Sequence, residues 1–192
     1  MAKSRVPLML RASFTSTEAE QPSIETVAMD LSAYVDPLNG KVLKINKVTF
    51  VVDDGSGEAL PVDAFYPTST AASGGCWTAQ LATGTQTSIK GVNDNRNIAT
   101  KFTYVALISQ VIDATAASQA DTTKDAGTGW SFENFMVPDM GYCVAADTLT
   151  FMAQHQLDLQ ASIRHTVVIE CEKIKLPAAD VNFLLVNQTL SD

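Results

Sequence analysis

The longest regular pattern in the chain runs over 163–176, where Ile163, His165, Val167, Ile169 and Cys171 alternate with Arg164, Thr166, Glu170 and Glu172. Alternation of period two puts one apolar file on one side of an extended chain, which is the mark of a β-strand with one face in a core and the other in water. A strand so far above the usual ~5–6 residues needs long neighbours, so the pattern predicts large sheets. The same period recurs along the chain, while helical i, i+3, i+4 stripes are nearly missing. Val27, Met29 and Leu31 share a face against Ala28, Asp30 and Ser32, and the segment runs on to the turn pair Asn39-Gly40. Over 41–52 the apolar parity changes: Leu43 and Ile45 keep one phase, Val48, Phe50 and Val52 the other. A bulge near Asn46-Lys47, or a strand crossing between two sheets there, accounts for the change. A weaker strand is predicted over 59–65, then a small-residue loop over 67–75. Further strands follow over 76–83, 98–112, 130–137 and 147–156, the last with Leu149, Phe151 and Ala153 inward.

About eight strands without the amphipathic helices of a parallel sheet predict an all-β fold, an antiparallel β-sandwich of jelly-roll type. Pro177 suits the first turn of a helix, and Val181, Leu184 and Leu185 fall at i, i+3, i+4, so a short C-terminal helix over 177–188 is preferred to a last strand. A chain of 192 residues fits one domain, 1–192, with an N-terminal arm over 1–18. Apolar residues are 46% and charged residues only 18%, which excludes intrinsic disorder and implies that part of the surface is covered. A net charge of −8 disfavours nucleic-acid binding through the domain face. No apolar run is long enough to span a membrane, and the apolar core of residues 1–11 is too short for a signal peptide, so cytosolic synthesis is expected. Cys76, Cys143 and Cys171 are odd in number and widely spaced, which predicts reduced, buried thiols.

Candidate chemistry is sparse. The only histidines are His155 and His165. In a simple hairpin they would sit opposite each other and could share a metal. In a jelly roll their strands would lie in facing sheets, and two ligands are fewer than zinc needs, so both are read as structural histidines. Asp53, Asp54, Ser56 and Glu58, and the run Asn93-Asp94-Asn95-Arg96-Asn97, could offer oxygens to calcium, but ordinary turns explain both. Glu170 and Glu172 form a possible carboxylate pair beside Lys173 and Lys175, the usual look of an exposed sheet face. Trp77, Trp130, Phe132 and Phe135 could stack on a sugar or simply fill a core. The nucleophile elbow, the phosphate loop, the zinc-protease pair of histidines and the dinucleotide fingerprint are all absent. No catalytic, cofactor or metal residue is therefore assigned, and the chain is expected not to be an enzyme.

Two segments read as contact surfaces. Lys3, Arg5 and Arg11 precede the first acid, Glu18, and accompany Val6, Leu8 and Leu10; this basic, apolar arm suits docking on a neighbouring acidic subunit. The loop 113–129 contains no large apolar side chain, so a neighbour would have to order it, with Asp121, Lys124 and Asp125 as candidate contacts.

The basic arm, the run Met29-Asp30-Leu31-Ser32-Ala33-Tyr34-Val35-Asp36-Pro37, the run Val144-Ala145-Ala146-Asp147-Thr148-Leu149-Thr150-Phe151, and a long final strand entering a short helix together resemble single jelly-roll capsid proteins of tailless icosahedral viruses of archaea and bacteria. The resemblance is one of architecture across most of the chain. It implies a virion subunit that assembles with copies of itself and with other capsid proteins through edges, loops and arm. The arm's basic residues make it a minor candidate contact for nucleic acid or membrane, and no small-molecule substrate or cofactor is implied. A ligand-binding sandwich, such as a carbohydrate-binding or appendage-tip module, is the alternative.

Overall fold

Every second residue of the strand Ile163–Lys175, from Ile163 to Cys171, is fully buried, and the residues between them are half-exposed. The computed structural model describes residues 7–16, 23–58, 75–105, 107–108, 125–126, 130–135, 141–155 and 162–189. In chain order the strands are β1 (Leu8–Ser16), β2 (Ser23–Asp30), β3 (Lys41–Asp53), β4 (Gly75–Thr83), β5 (Asn97–Val105), β6 (Leu107–Ile108), β7 (Asp125–Ala126), β8 (Trp130–Phe135), β9 (Tyr142–Val144), β10 (Thr148–His155) and β11 (Ile163–Lys175), followed by helix α1 (Ala178–Thr189). They form an antiparallel β-sandwich. One sheet has the order β1-β11-β3-β9, the other β2-β10-β4-β5-β8, and β6 pairs with β7 in a separate two-stranded ladder.

The parity change in β3 is a bulge. Lys47 pairs with Glu170 and Ile45 with Cys171, leaving Asn46 without an opposite residue. That one extra residue lets Leu43 and Ile45, before it, and Val48 and Phe50, after it, all face inward. Between the sheets the core centres on Phe151, whose ring lies 5.8 Å from Phe50 and 5.1 Å from Phe14. The Asn39-Gly40 corner also forms: the Asp36 side chain accepts from the Asn39 backbone, and Gly40 turns the chain at φ +72°. Its carbonyl then accepts from Leu176 N at 2.9 Å, which ties the corner to the end of β11.

Helix α1 closes one end, where Val181 joins Val42 and Ala145 in a small second core. Gln188, 3% exposed, anchors it to the end of β9. Its amide donates to Cys143 O at 2.6 Å, and its carbonyl accepts from Ala145 N at 2.9 Å and Ala146 N at 3.3 Å. Three backbone groups that continue the β9 edge strand are thus satisfied by the helix.

Several expectations change. Over Leu8–Ser16 the N-terminal arm is strand β1 of the chain's own sheet, paired with β11 from Leu8↔Cys171 to Ser16↔Ile163. Leu8 and Leu10 pack against the chain's own core and Arg11 lies on the outer face of that sheet, so all three belong to a paired strand and not to a separate arm. The strand is written in the alternation of Leu8, Leu10, Ala12 and Phe14 with Met9, Arg11, Ser13 and Thr15. Asp125, expected in an unstructured loop, pairs its backbone with Ile108 in the same chain. The strand predicted over 98–112 is described as β5 and β6, and β9 is a strand the sequence reading passed over. Lys3, Arg5, Val6, Asp121, Lys124 and the strand expected over 59–65 lie outside the described residues.

Candidate functional site

Among the described residues, no further strand borders the lateral side of the sandwich formed by β1 and β2. The inward residues of central strands β11 and β10 are almost wholly excluded from solvent, yet Leu8, Leu10, Ala12 and Phe14 of β1, and Val27 and Met29 of β2, are only half-buried. The reason is position: β1 and β2 each end their sheet, so each inward side chain has a neighbouring strand on one side only. Among the described residues the result is an apolar seam bordered by two long edge strands. Edge strands carry backbone donors and acceptors that another strand can use. At the inner limit of the seam Ser16 Oγ donates to Glu25 Oε2 at 2.9 Å, linking β1 to β2. A second apolar area lies at the helical end, where Leu38, Phe183 and Val186 are exposed.

The outer face of the five-stranded sheet is covered over β10, β4 and β5, while Thr26 and Ala28 of β2 are exposed on it. Gln80, Thr100, Thr150 and Met152 point away from the core, yet all are buried. The connection between β4 and β5, residues 84–96, folds back over Gln80 and Thr150. Gln80 holds it as a second strand would: Nε2 donates to Lys90 O at 2.9 Å and Oε1 accepts from Lys90 N at 2.7 Å. The same Nε2 donates to Thr100 Oγ1 at 2.9 Å, and Thr100 Oγ1 donates to Asn97 Oδ1 at 3.0 Å. Farther along, Thr150 Oγ1 donates to Gly84 O at 2.6 Å and accepts from Gln86 N at 3.1 Å. Tyr142 donates to Asn95 O at 2.6 Å, so the loop also touches β9. Between loop, β9 and helix lies a cleft of about 350 Å³ lined by Asn95, Tyr142, Cys143, Leu184, Asn187 and Gln188. Burial raises both the Tyr142 hydroxyl and the Cys143 thiol above their ordinary values, so the lining is uncharged at neutral pH.

His155 and His165 meet, though not in a hairpin. β10 and β11 lie in different sheets, and the two rings close across the core with Nε2 to Nε2 at 3.0 Å. His165 stacks on Trp77 at 5.5 Å and lies 5.3 Å from Phe14. Burial lowers His155 to about 4; burial and then the charge of His155 lower His165 to about 3. No group of three or more possible metal ligands exists among the described residues.

The remaining candidates resolve into structure. Asp53 Oδ1 accepts from Gly55 N at 2.7 Å and faces Arg164 Nη2 at 2.9 Å, while Asp54 accepts from Ser56 N, Ser56 Oγ and Glu58 N. Asp94 is held by Arg96, its own loop neighbour, and that hydrogen bond keeps its carboxyl below the usual range. These are turns whose carboxylates face backbone donors. Glu172 lies 3.6 Å from Lys44 Nζ on the outer face of the first sheet. Trp77 is 5% exposed and belongs to the core, which removes it from any sugar platform; of Trp130, Phe132 and Phe135 only the backbone is described. Cys171 is a buried free thiol and Cys143 a half-buried one, which departs from the expectation that both are buried. No helix among the described residues is long and apolar enough to cross a membrane. Comparison with protein-family models, with curated proteins and with solved structures returns no match for this chain.

Proposed function

We propose that the chain is a structural assembly subunit, a capsid protein of jelly-roll type that builds a shell from copies of itself and has no catalytic role. The observation that carries this reading is the open seam along β1 and β2: apolar residues half in water, flanked by two edge strands, on a chain whose other sheet edge at β9 is secured by its own helix. Strand order supports the jelly-roll reading. Consecutive strands alternate between sheets, β1 to β2 to β3 to β4 and again β9 to β10 to β11, so that β1, β11, β3, β9 face β2, β10, β4, β5. The low share of charged residues fits a surface covered by neighbours. In this reading the partners are copies of the chain and other capsid proteins, and its location is the virion.

Light scattering and negative-stain microscopy of the purified full chain test this. Particles or discrete oligomers are expected, and Leu10→Glu, which puts a charge into the seam, is expected to lower their yield at least tenfold while the circular dichroism of a β-protein persists. A chain that stays monomeric at high concentration would overturn the proposal, and oligosaccharide binding by that monomer would favour the ligand-binding sandwich.

A further inference from the structure

Two histidines are all the chain has, and the fold brings them together from opposite sheets to 3.0 Å, at 2% and 0% exposure. That spacing accommodates one proton. One ring donates Nε2–H and the other accepts at Nε2, so both are neutral and of opposite tautomer. A proton added at the accepting nitrogen would set two N–H groups against each other inside the core. Among the described residues His165 Nδ1 and the neighbouring Trp77 Nε1 have no hydrogen-bond partner, so no acceptor at Nδ1 steadies a charge on His165.

Among the described residues, the elements around the pair supply few charges. In register, Phe14 of β1 and Val52 of β3 flank His165, and Ser23 of β2 and Trp77 of β4 flank His155. Along β10 and β11 the neighbours on the same face are Ala153, Ile163 and Val167. Glu25 on β2 is diagonal to His155 and is engaged by Ser16; Asp53 on β3 is paired with Arg164 on the outer side of the first sheet.

We propose that His155 and His165 form an acid-operated latch between the two sheets. Neutral, they fasten the core beside the seam. Protonated, they force the sheets apart there, and β1 is released first, because it is held by one neighbouring strand and its Phe14 ring rests on His165. The latch is a property of the fold and does not require that the chain assemble.

Both folded-state values, about 4 and about 3, lie below the ordinary 6.5, so the open chain takes up protons that the closed chain refuses. Stability is therefore complete above pH 6.5 and is lost as pH falls from there toward 4. With two protons linked, the unfolding constant should rise by about a hundredfold per pH unit in the middle of that window. The carboxyls of Asp30, Asp36, Asp54 and Asp94 are held below 3.8 by hydrogen bonds, and their contribution is lost only at lower pH.

Urea melts of the full chain between pH 7 and 4.5 should show this slope, and the double variant His155→Phe, His165→Leu should lose most of it. Nitrogen NMR of the wild-type rings should show one Nδ1–H and one Nε2–H tautomer, unchanged down to about pH 5.5 in the folded state. Hydrogen exchange, corrected for its intrinsic pH dependence, should quicken in Leu8–Ser16 before β10. A wild type whose stability is flat over this range, or ring signals titrating near 6.5 in the folded protein, would overturn the latch. So would a double variant that keeps the slope, and exchange that quickens equally in β1 and β10 would remove β1 as the released strand. If the double variant does not fold, the ring titration of the wild type decides.

Discussion

Replacing Gln80 by Leu keeps the volume of a wholly buried side chain and deletes its polarity, so it isolates what holds the 84–96 connection against the sheet. Three hydrogen bonds disappear: two with the backbone of Lys90 and one with Thr100. At about 1 kcal/mol net for each, the direct loss is about 3 kcal/mol. Two responses remain open to the molecule. With the loop in place, Lys90 N–H and C=O face an apolar side chain, at about 1–3 kcal/mol each. With the loop lifted those groups are hydrated, but the bonds made by Thr150 loosen. The cheaper response sets the result, so we expect a destabilisation of about 3 kcal/mol. For a chain of this length that is about 6–12 °C in melting temperature. Urea melts should show a lower midpoint with an unchanged slope, and hydrogen exchange should show lost protection over 84–96 while β10 and β11 keep theirs. A loss below about 1 kcal/mol with the loop still protected would refute the reasoning, because the network would then be an accessory to packing between loop and sheet.

Gln188→Ala removes the anchor of α1 and orphans Cys143 O, Ala145 N and Ala146 N; about 2–4 kcal/mol should be lost, and limited proteolysis should cut within 178–189 faster than in the wild type. Gly40→Ala should cost at least about 2 kcal/mol in a thermal melt, since the new Cβ would sit 2.5 Å from Leu176 O at a φ of +72°.

Most of the strands and the helix are legible because they are written in local periodicity, whereas the three residues of β9 are too few to show one. Ile163, His165, Val167, Ile169 and Cys171 declare β11 within a few residues, the parity change between Ile45 and Val48 narrows to a bulge or a crossing that pairing with β11 resolves as a bulge at Asn46, and Pro177 with Val181, Leu184 and Leu185 favours α1 over a last strand. The same logic reaches β1, whose alternation is complete, though basic residues beside it suggested a free arm. Gln80, Thr100 and Thr150 could not be recognised. On a strand a polar residue of outward parity reads as solvated, and only the folding back of 84–96 makes it buried and bonded. Nor does the sequence distinguish the half-exposed Leu10 from the buried Ile169, because exposure there depends on whether a strand ends its sheet, which pairing decides. The histidines show the division most clearly. Spacing alone could bring His155 and His165 together as hairpin partners, whereas in the fold they belong to facing sheets and meet ring to ring across the core. Local alternation determines which residues face inward; what each inward residue meets is decided by sheet order, because the contacts across a sandwich join strands that periodicity does not connect.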